Sequence, residues 1–234
     1  MELTLNRYHL RLRRVAERDI EVIRQGRNME HVRGQHVHQE LITEAQQARW
    51  FASIQNERNY FFVIERAADR VGLVYVKDFT AAMDTSGCGV FLWDTESLGS
   101  RVPLLAVLTV LDFFFGELGG GGTESVVLRS NRAAMRMNEF FGFAFEEGPS
   151  PELVRIRMTK ERYAQHRQRL LQFARRLIKD RSARDLVVLG APNPMQFDVI
   201  NALFAQGSEV GLPCRAADDV APSSTPAGDV NVCT

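Results

Sequence analysis

Cysteine is scarce in this sequence, and its cysteines are arranged neither as pairs nor as a ligand set. Cys88, Cys214 and Cys233 are an odd number in a chain of 234 residues, and none stands in CxxC spacing. This pattern supports neither a disulfide framework nor a zinc site. It fits a reducing compartment, so we expect a cytoplasmic protein without a bound metal.

Long apolar runs and an excess of charge of one sign are also missing. The longest apolar run, residues 102–115, contains Asp112 and is too short to span a bilayer. The opening MELTLNRYHLRLRR lacks the apolar core of a signal peptide. Lys and Arg together number 29, as do Asp and Glu, so no overall positive field attracts nucleic acid or an anionic membrane. We therefore expect a soluble protein that partners with neither.

Enough apolar sequence is present for one large domain, since 45% of the residues are hydrophobic. Hydrophobic periodicity predicts the secondary structure. The predicted elements are a strand over 8–15, helices over 17–28 and 44–55, strands over 59–66, 70–79 and 88–94, a helix over 103–118, a strand over 123–130, a helix over 131–141, and strands over 143–148 and 152–159. This order predicts a mixed α/β (α+β) fold in which the early strands pair antiparallel.

The chain beyond residue 159 differs in kind. A basic amphipathic helix over 160–181 is followed, within 185–207, by a short strand, a proline-containing turn and an apolar helix. We interpret the basic stripe as a solvated helix face rather than an interface for acidic partners, and the apolar helix as docking on the body or forming a homodimer contact. The predicted parts are a domain over 1–159, a helical extension with a short strand over 160–215, and a disordered tail over 216–234.

The segment LGSRVP, residues 98–103, combines a glycine loop with the start of a helix. The first N–H groups of a helix have no internal partners, and the helix dipole adds partial positive charge there. Gly99 lets a ligand approach the backbone, Ser100 offers a hydroxyl, and Arg101 adds a positive charge. Pro103 is favourable in a first helical turn. These residues favour a phosphate site, and an ordinary strand-to-helix turn is the alternative.

With this order of elements, the chain resembles the GNAT acetyltransferase superfamily from about Leu10 to Met158. RVGLVYV resembles the family's central hairpin, LGSRVP stands where the acetyl-CoA pyrophosphate loop stands, and SNRAAMRMNEFFGF resembles the closing motif. Arg27-Asn28 and the spacing to WDTESLG are similar to the N-acetyltransferases of nucleotide-linked 4-amino-4,6-dideoxy sugars in the pseudaminic acid pathway. The resemblance implies a GNAT-like mixed, mainly antiparallel twisted sheet flanked by helices, with a C-terminal helical extension.

The resemblance also implies an activity, the transfer of an acetyl group from acetyl-CoA to a small amine on a nucleotide-linked sugar. Acetylation of a protein N-terminus, as in the ribosomal-protein branch, and a CoA-binding module without turnover remain alternatives. The strand over 90–93 should splay from its neighbour and hold the pantetheine and carbonyl with free backbone groups. The implied cofactor-binding residues are Phe91, Leu92, Trp93, Gly99, Ser100, Arg101, Val102, Asn131 and Asn138.

Asn138 occupies the position at which the family usually has the tyrosine that protonates the leaving thiolate. An asparagine amide can donate a hydrogen bond but cannot act as an acid. Proton delivery by water, delivery by Tyr75 or Ser130, and lost catalysis therefore stay open. Water is favoured because the low pKa of a thiol makes protonated departure helpful rather than obligatory.

The general base is predicted in RGQHVHQE, where the family builds part of its acceptor pocket. This segment holds His36 and His38, and because histidine is the side chain type that titrates near neutral pH, His36 is the predicted base. A pair of surface histidines without a role is the alternative, and Glu40 and Asp78 are further candidates. Aromatic candidates for stacking on an acceptor ring are Trp93 and Phe91, with core packing the stronger interpretation for Phe91.

Overall fold

The computed structural model describes residues 2–79 and 87–190, in which helices pack on two antiparallel sheets. The strands are β1 (Thr4–Arg7), β2 (Leu10–Arg14), β3 (Tyr60–Arg66), β4 (Asp69–Lys77), β5 (Gly87–Leu92), β6 (Gly122–Leu128), β7 (Ala144–Glu147), β8 (Leu153–Thr159) and β9 (Val187–Leu189). The helices are α1 (Ile20–Asn28), α2 (Glu30–Arg33), α3 (Glu44–Ser53), α4 (Val102–Asp112), α5 (Arg132–Phe141) and α6 (Lys160–Leu177). A π-helical turn, Phe113–Glu117, continues α4. The predicted mixed α/β fold is confirmed, with β1 and α2 as additions.

The strands form one sheet in the order β5-β4-β3-β2-β1-β9 and another in the order β6-β8-β7. Every pairing is antiparallel. Within the described residues, β5 pairs with β4 alone and β6 pairs with β8 alone. The two sheets approach each other at β5 and β6, where the Cys88 amide donates a hydrogen bond to Ser125 Oγ at 3.1 Å.

The N-terminal segment is a hairpin, where a single strand over 8–15 was predicted. Tyr8 and His9 form the turn between β1 and β2, with φ angles of 57° and 61°. Two-residue hairpin turns of this kind normally contain glycine, asparagine or aspartate, because both central residues need positive φ. Tyr-His gives no such signal. Tyr8 is nevertheless buried, and the Arg7 guanidinium lies 4.5 Å from the centre of its ring.

The core has one apolar layer on each face of the larger sheet. Helix α4 fills one layer, and all of its residues except Pro103 and Leu104 are buried. Helices α1 to α3 cover the opposite face, where a second cluster includes Ile23, Phe61 and Tyr75. The alternation of side chains along β4 and β5 supplies both layers, since successive residues of a strand point to opposite faces.

The segment after residue 159 packs against the body of the fold through Asp112. This buried carboxylate accepts hydrogen bonds from Arg7 in β1, at 2.5 Å, and from Tyr163 and Arg167 in α6, at 2.8 and 2.5 Å. Strand β9 then pairs with β1 at the edge of the larger sheet. Helix α6 ends at Leu177, earlier than predicted. The predicted apolar helix and disordered tail lie outside the described residues.

Among the helices of the described residues, none combines the length and the apolar character that crossing a bilayer requires.

Candidate active site

The space between β5 and β6, here called the strand gap, exposes one backbone edge of β5. The N–H of Cys88 points toward β6, whereas the N–H of Trp93 donates to the carbonyl of Val71 in β4 at 3.1 Å. Because backbone groups alternate in direction along a strand, those of Leu92 face the gap. The expected splay at this strand is present. Trp93 was expected to offer a free backbone group to the cofactor, but its N–H donates a hydrogen bond to β4.

A small cavity of about 10 Å³, close to the lower limit for one water molecule, lies on the β5 side of the strand gap and is enclosed by β4, β5, α4, α5 and Phe143. Its lining includes Tyr75, Val90, Met137, Asn138 and Phe143. Asn138 is 3% exposed, and its Nδ2 has no hydrogen-bond partner among the residues that the structure describes. A buried donor without an acceptor costs free energy, roughly 1–3 kcal/mol. The gap therefore holds an unmet hydrogen-bond donor at the position where the sequence predicted one.

Asn131 lies on the same helix but is engaged within the protein. It is the N-cap of α5, where Oδ1 accepts the N–H of Ala134 at 3.0 Å, and Nδ2 donates to the carbonyl of Gln35 at 3.3 Å. Asn131 does not line the cavity. The spacing of seven residues suggested that both asparagines face the cofactor, but only Asn138 borders the strand gap.

The glycine loop leads into α4 with several free amides. Gly99 has φ of +72°, a conformation that favours glycine. In the described part of the chain, no acceptor is bonded to the amides of Gly99, Arg101 or Leu104. The Val102 amide donates to Ser100 Oγ at 3.1 Å, which leaves the Ser100 O–H available as a donor. These donors at a helix start suit the oxygens of a diphosphate.

Arg101 directs its guanidinium away from these amides. Its Nη1 donates to the carbonyl of Leu177, the last residue of α6, at 3.3 Å. The residue that stands where the family usually has glycine thus connects the loop to the C-terminal extension. This hydrogen bond does not involve the amides of the glycine loop.

A second space, here called the wide cleft, has a volume of about 600 Å³ and lies between α1, α3 and the faces of β3 to β5. Of the predicted residues, those that line it are His36, His38, Asp78, Tyr75 and Phe91; neither Glu40 nor Ser130 lines it or the strand gap. Tyr75 borders both spaces and stacks on Phe61 with ring centroids 4.8 Å apart. The two spaces therefore lie on opposite faces of the β4–β5 ladder.

His36 is a neutral side chain in the wall of the wide cleft. Burial, followed by the positive charge of Arg27, lowers the pKa of His36 to about 3. Its Nε2 has no hydrogen-bond partner, and its ring meets Phe91 edge-on at 5.5 Å. The imidazole is therefore unprotonated at neutral pH and can accept or donate a hydrogen bond as its tautomer allows.

Phe91 in β5 and Trp93, the residue that follows β5, have different surroundings. Phe91 lines the wide cleft, whereas Trp93 does not. Trp93 donates from Nε1 to the carbonyl of Arg70 at 2.7 Å and packs against α1 at Gly26. A Cβ at Gly26 would lie 2.7 Å from the Trp93 ring, so the absence of a side chain at residue 26 leaves room for the indole.

Two further residues of the wide cleft were not predicted to act there. Gln47 is buried on α3 with no partner for its Nε2, and Arg27 lies at the end of α1. In the sequence, Arg27 is a marker of the family branch and carries no signal of a role in a cleft. Gln47 lies on the face of α3 that carries its packing residues, and a polar residue on such a face is the signal that could have identified it.

Comparison with known proteins gives a family and a fold. The family model described as an acetyltransferase (GNAT) domain matches residues 9–144, more than half of the chain. A search of curated proteins finds no significant match.

Among solved structures, the chain is similar to a spermidine N-acetyltransferase from Vibrio cholerae in complex with CoA and spermine. That similarity has a TM-score of 0.59 at 18% identity and covers 67% of this chain and 98% of that one. RimJ from Mycobacterium smegmatis, in complex with CoA-disulfide, gives a TM-score of 0.60 at 18% identity and covers 74% of this chain and 94% of that one.

At these identities the structural similarities establish the fold, and the family model establishes membership. The strand gap, the free amides before α4 and the unpartnered Asn138 amide fit acetyl-CoA, which offers a diphosphate and a thioester to such donors. The chain therefore belongs to the GNAT acetyltransferase family and is an acetyl-CoA-dependent N-acetyltransferase.

Proposed function

We propose that the acceptor amine binds in the wide cleft and that it belongs to a nucleotide-linked amino sugar. The observation that carries this proposal is Tyr75, which borders both the wide cleft and the strand gap. The two spaces lie on opposite faces of the β4–β5 ladder, so a thioester would reach the amine past the edge of β5 that has no ladder partner among the described residues. Such juxtaposition is the main requirement of direct acyl transfer.

The strand gap supplies the residues for the acyl donor. The amides of Gly99, Arg101 and Leu104 would hold the diphosphate, and the backbone edge at Leu92 would hold the pantetheine arm. Acetyl-CoA supplies the activated acyl group. Asn138 Nδ2 would donate a hydrogen bond to the carbonyl oxygen or the sulfur as negative charge develops there. Because an amide is not an acid, we assign the proton on the leaving sulfur to water.

The wide cleft acts on the amine by selecting its neutral form. A pKa of about 3 makes His36 a poor general base, so positioning is the better role for its unpartnered Nε2. Burial disfavours a charged amine, and the nearby positive charge of Arg27 does the same. The amine would bind unprotonated, with Phe91 and Tyr75 beside it.

The substrate class is tested by thiol release from acetyl-CoA with three kinds of acceptor, each confirmed by mass spectrometry of the product. The acceptors are a nucleoside diphosphate-linked 4-amino-4,6-dideoxy sugar, a peptide with a free N-terminus, and spermidine. We expect the highest kcat/KM for the sugar. A higher value for the peptide or for spermidine, or no acetylation of the sugar, would overturn the substrate class.

A further inference from the structure

Arg27 is a partly buried cation of the wide cleft, and no acidic partner for it is present among the described residues. Its Nη2 donates to the backbone carbonyl of His38 at 3.1 Å, and among the described residues no carboxylate lies within 4.0 Å of its guanidinium. Arg7 and Arg13, which are more deeply buried, differ because Arg7 pairs with Asp112 and Arg13 pairs with Asp19. A desolvated charge without a counterion is costly, so its retention needs a separate reason.

Gln47 provides an independent observation in the same cleft. It is 3% exposed, and its Nε2, which carries two N–H donors, has no acceptor. Arg27 also has more donors than the single carbonyl of His38 satisfies. Unmet donors on two separate helices, α1 and α3, thus line one space. A ligand that brings acceptor oxygens would satisfy both.

The charged residues of the wide cleft also favour a negatively charged ligand. The described charged residues in its lining are Arg27, Lys77 and Asp78, and Lys77 lies 3.6 Å from Asp78. Lys77 and Asp78 balance each other, which leaves the charge of Arg27. With His36 neutral, the lining has a net positive charge. A polyamine would bring further positive charges into this space and would be repelled.

We infer that Arg27, together with Gln47, binds an oxyanion carried by the acceptor, so that the substrate is an amine that also bears a phosphate or a carboxylate. The planar guanidinium matches both groups with paired N–H donors. This inference rests on the proposed function, because it assigns the anion site to the cleft in which the amine binds. It excludes polyamines, the class bound in the similar structure from Vibrio cholerae.

The kinetic test compares acceptors that differ only in their anion. Wild type and R27Q are assayed with a 4-amino sugar in free form, as its nucleoside diphosphate conjugate, and with a carboxylate in place of the diphosphate. We expect wild type to prefer at least one anionic form over the free sugar by a hundredfold or more in kcat/KM. In R27Q this ratio of kcat/KM values should be at least tenfold smaller than in wild type, and in R27K it should be partly restored. An unchanged preference in R27Q, or a wild-type preference for spermidine, would overturn the inference.

Arg33→Gln is the matched control. Arg33 lies on α2, donates to the backbone carbonyl of Gln39 at 3.1 Å, and is outside the wide cleft. R33Q therefore removes an arginine with the same kind of partner, and the preference for anionic acceptors should change by less than twofold. A loss as large as that in R27Q would show a general charge effect and would overturn the assignment to Arg27.

A binding measurement separates this inference from the proposed function. The protein is saturated with CoA, which occupies the first site, and is titrated calorimetrically with the nucleoside diphosphate alone. Binding that R27Q weakens tenfold or more supports the anion site even if no sugar is acetylated, in which case the proposed substrate alone fails. Equal binding by wild type and R27Q overturns the anion site. Circular dichroism and unchanged affinity for acetyl-CoA confirm that R27Q is folded.

Discussion

Two asparagines of α5 are equally buried but have different roles. Asn131 and Asn138 are each 3% exposed. Asn131 satisfies both ends of its amide within the protein, whereas Asn138 leaves Nδ2 without a partner. The first side chain therefore contributes to stability, and the second is available to a ligand.

Replacing these residues should separate stability from activity. N138A should lower kcat at least tenfold, because a donor to the developing charge is lost, while the free energy of unfolding changes by less than about 1 kcal/mol. N131A should lower that free energy by about 1–2 kcal/mol through loss of the helix cap, with a smaller effect on kcat. Denaturant unfolding and steady-state kinetics measure both. Equal destabilisation with an unchanged kcat in N138A would contradict the assignment.

The buried imidazole of His36 should make stability depend on pH. Burial and Arg27 lower its pKa from the ordinary value of 6.5 to about 3, so between these values the unfolded chain binds a proton that the folded chain does not. The contribution of neutral His36 to the free energy of unfolding is complete above about pH 6.5 and is lost as the pH falls toward 3. The slope approaches about 1.4 kcal/mol per pH unit.

Urea unfolding at pH 7, 6, 5 and 4 measures this slope. H36Q should show a shallower fall in unfolding free energy than wild type over this range. H31Q, which changes an exposed histidine of α2, should follow the wild-type curve. Parallel curves for wild type and H36Q would show that the imidazole is protonated in the folded protein.

Sequence reasoning located individual residues well where the signal was local. Gly99 and Pro103 marked the start of α4, and Asn138 was placed at the strand gap by its position in the closing motif. The side chain of Trp93 was misassigned because its burial depends on Gly26, 67 positions earlier. No local pattern reveals such a contact. The isolation of Arg27 from carboxylates is equally a property of the folded chain.

At the scale of elements, α1 packs closely against the residue that follows β5, through the contact between Gly26 and Trp93. The helix can approach the strand closely only because residue 26 lacks a Cβ. This approach also sets the position of Arg27, the next residue of α1, at the edge of the wide cleft. The packing of one glycine thus determines the geometry of the anion site.

Gly26→Ala should therefore affect both stability and substrate use. The added methyl group would lie 2.7 Å from the indole, so α1 must shift, at a cost of about 1–3 kcal/mol in unfolding free energy. We expect kcat/KM for the acceptor to fall at least fivefold while the affinity for acetyl-CoA is maintained. Denaturant unfolding, kinetics and calorimetry provide these values.

Gly116→Ala is the control for this substitution. No atom lies within 4 Å of a Cβ at Gly116, and its φ is not positive. The change should alter unfolding free energy by less than about 0.5 kcal/mol. If G26A and G116A changed the unfolding free energy by equally small amounts, the close packing of α1 on Trp93 would be refuted.

The long elements were predictable, and the short ones were not. Helices α1, α3, α4 and α5 have clear apolar periodicity or caps, and their positions were predicted within a few residues. The strand β1 was merged with β2 because the Tyr8-His9 turn lacks the usual residues. Helix α2 has only four residues and is too short to show a period.

At the scale of the whole molecule, acetyl-CoA would bind where the two sheets separate. The strand gap has β5 of one sheet on one side and β6 of the other on the opposite side. A ligand that contacts both sides joins two sheets that share no ladder in the described chain. Composition and periodicity predicted the class of fold, but the line of separation depends on pairing partners that a single sequence does not specify.

Acetyl-CoA should therefore raise the thermal stability of the entire chain. A ligand at one hundred times its Kd adds about 2.7 kcal/mol to unfolding free energy. For a protein of this size that corresponds to a rise in Tm of roughly 5–10 °C. Differential scanning calorimetry measures the shift. Acetylated pantetheine at the same concentration, which has no diphosphate for the loop amides, should give a clearly smaller shift, and no shift with acetyl-CoA would refute binding in the strand gap.

The pairing of β9 with β1 has a consequence for biosynthesis. The outermost strand of the larger sheet consists of residues 187–189, and its neighbour consists of residues 4–7. A nascent polypeptide on the ribosome can build the layers around α4 and both faces of β3 and β4 early. Strand β1 keeps one edge unpaired by β9 until translation has passed residue 189, so the final strand order follows the synthesis of almost every other described element.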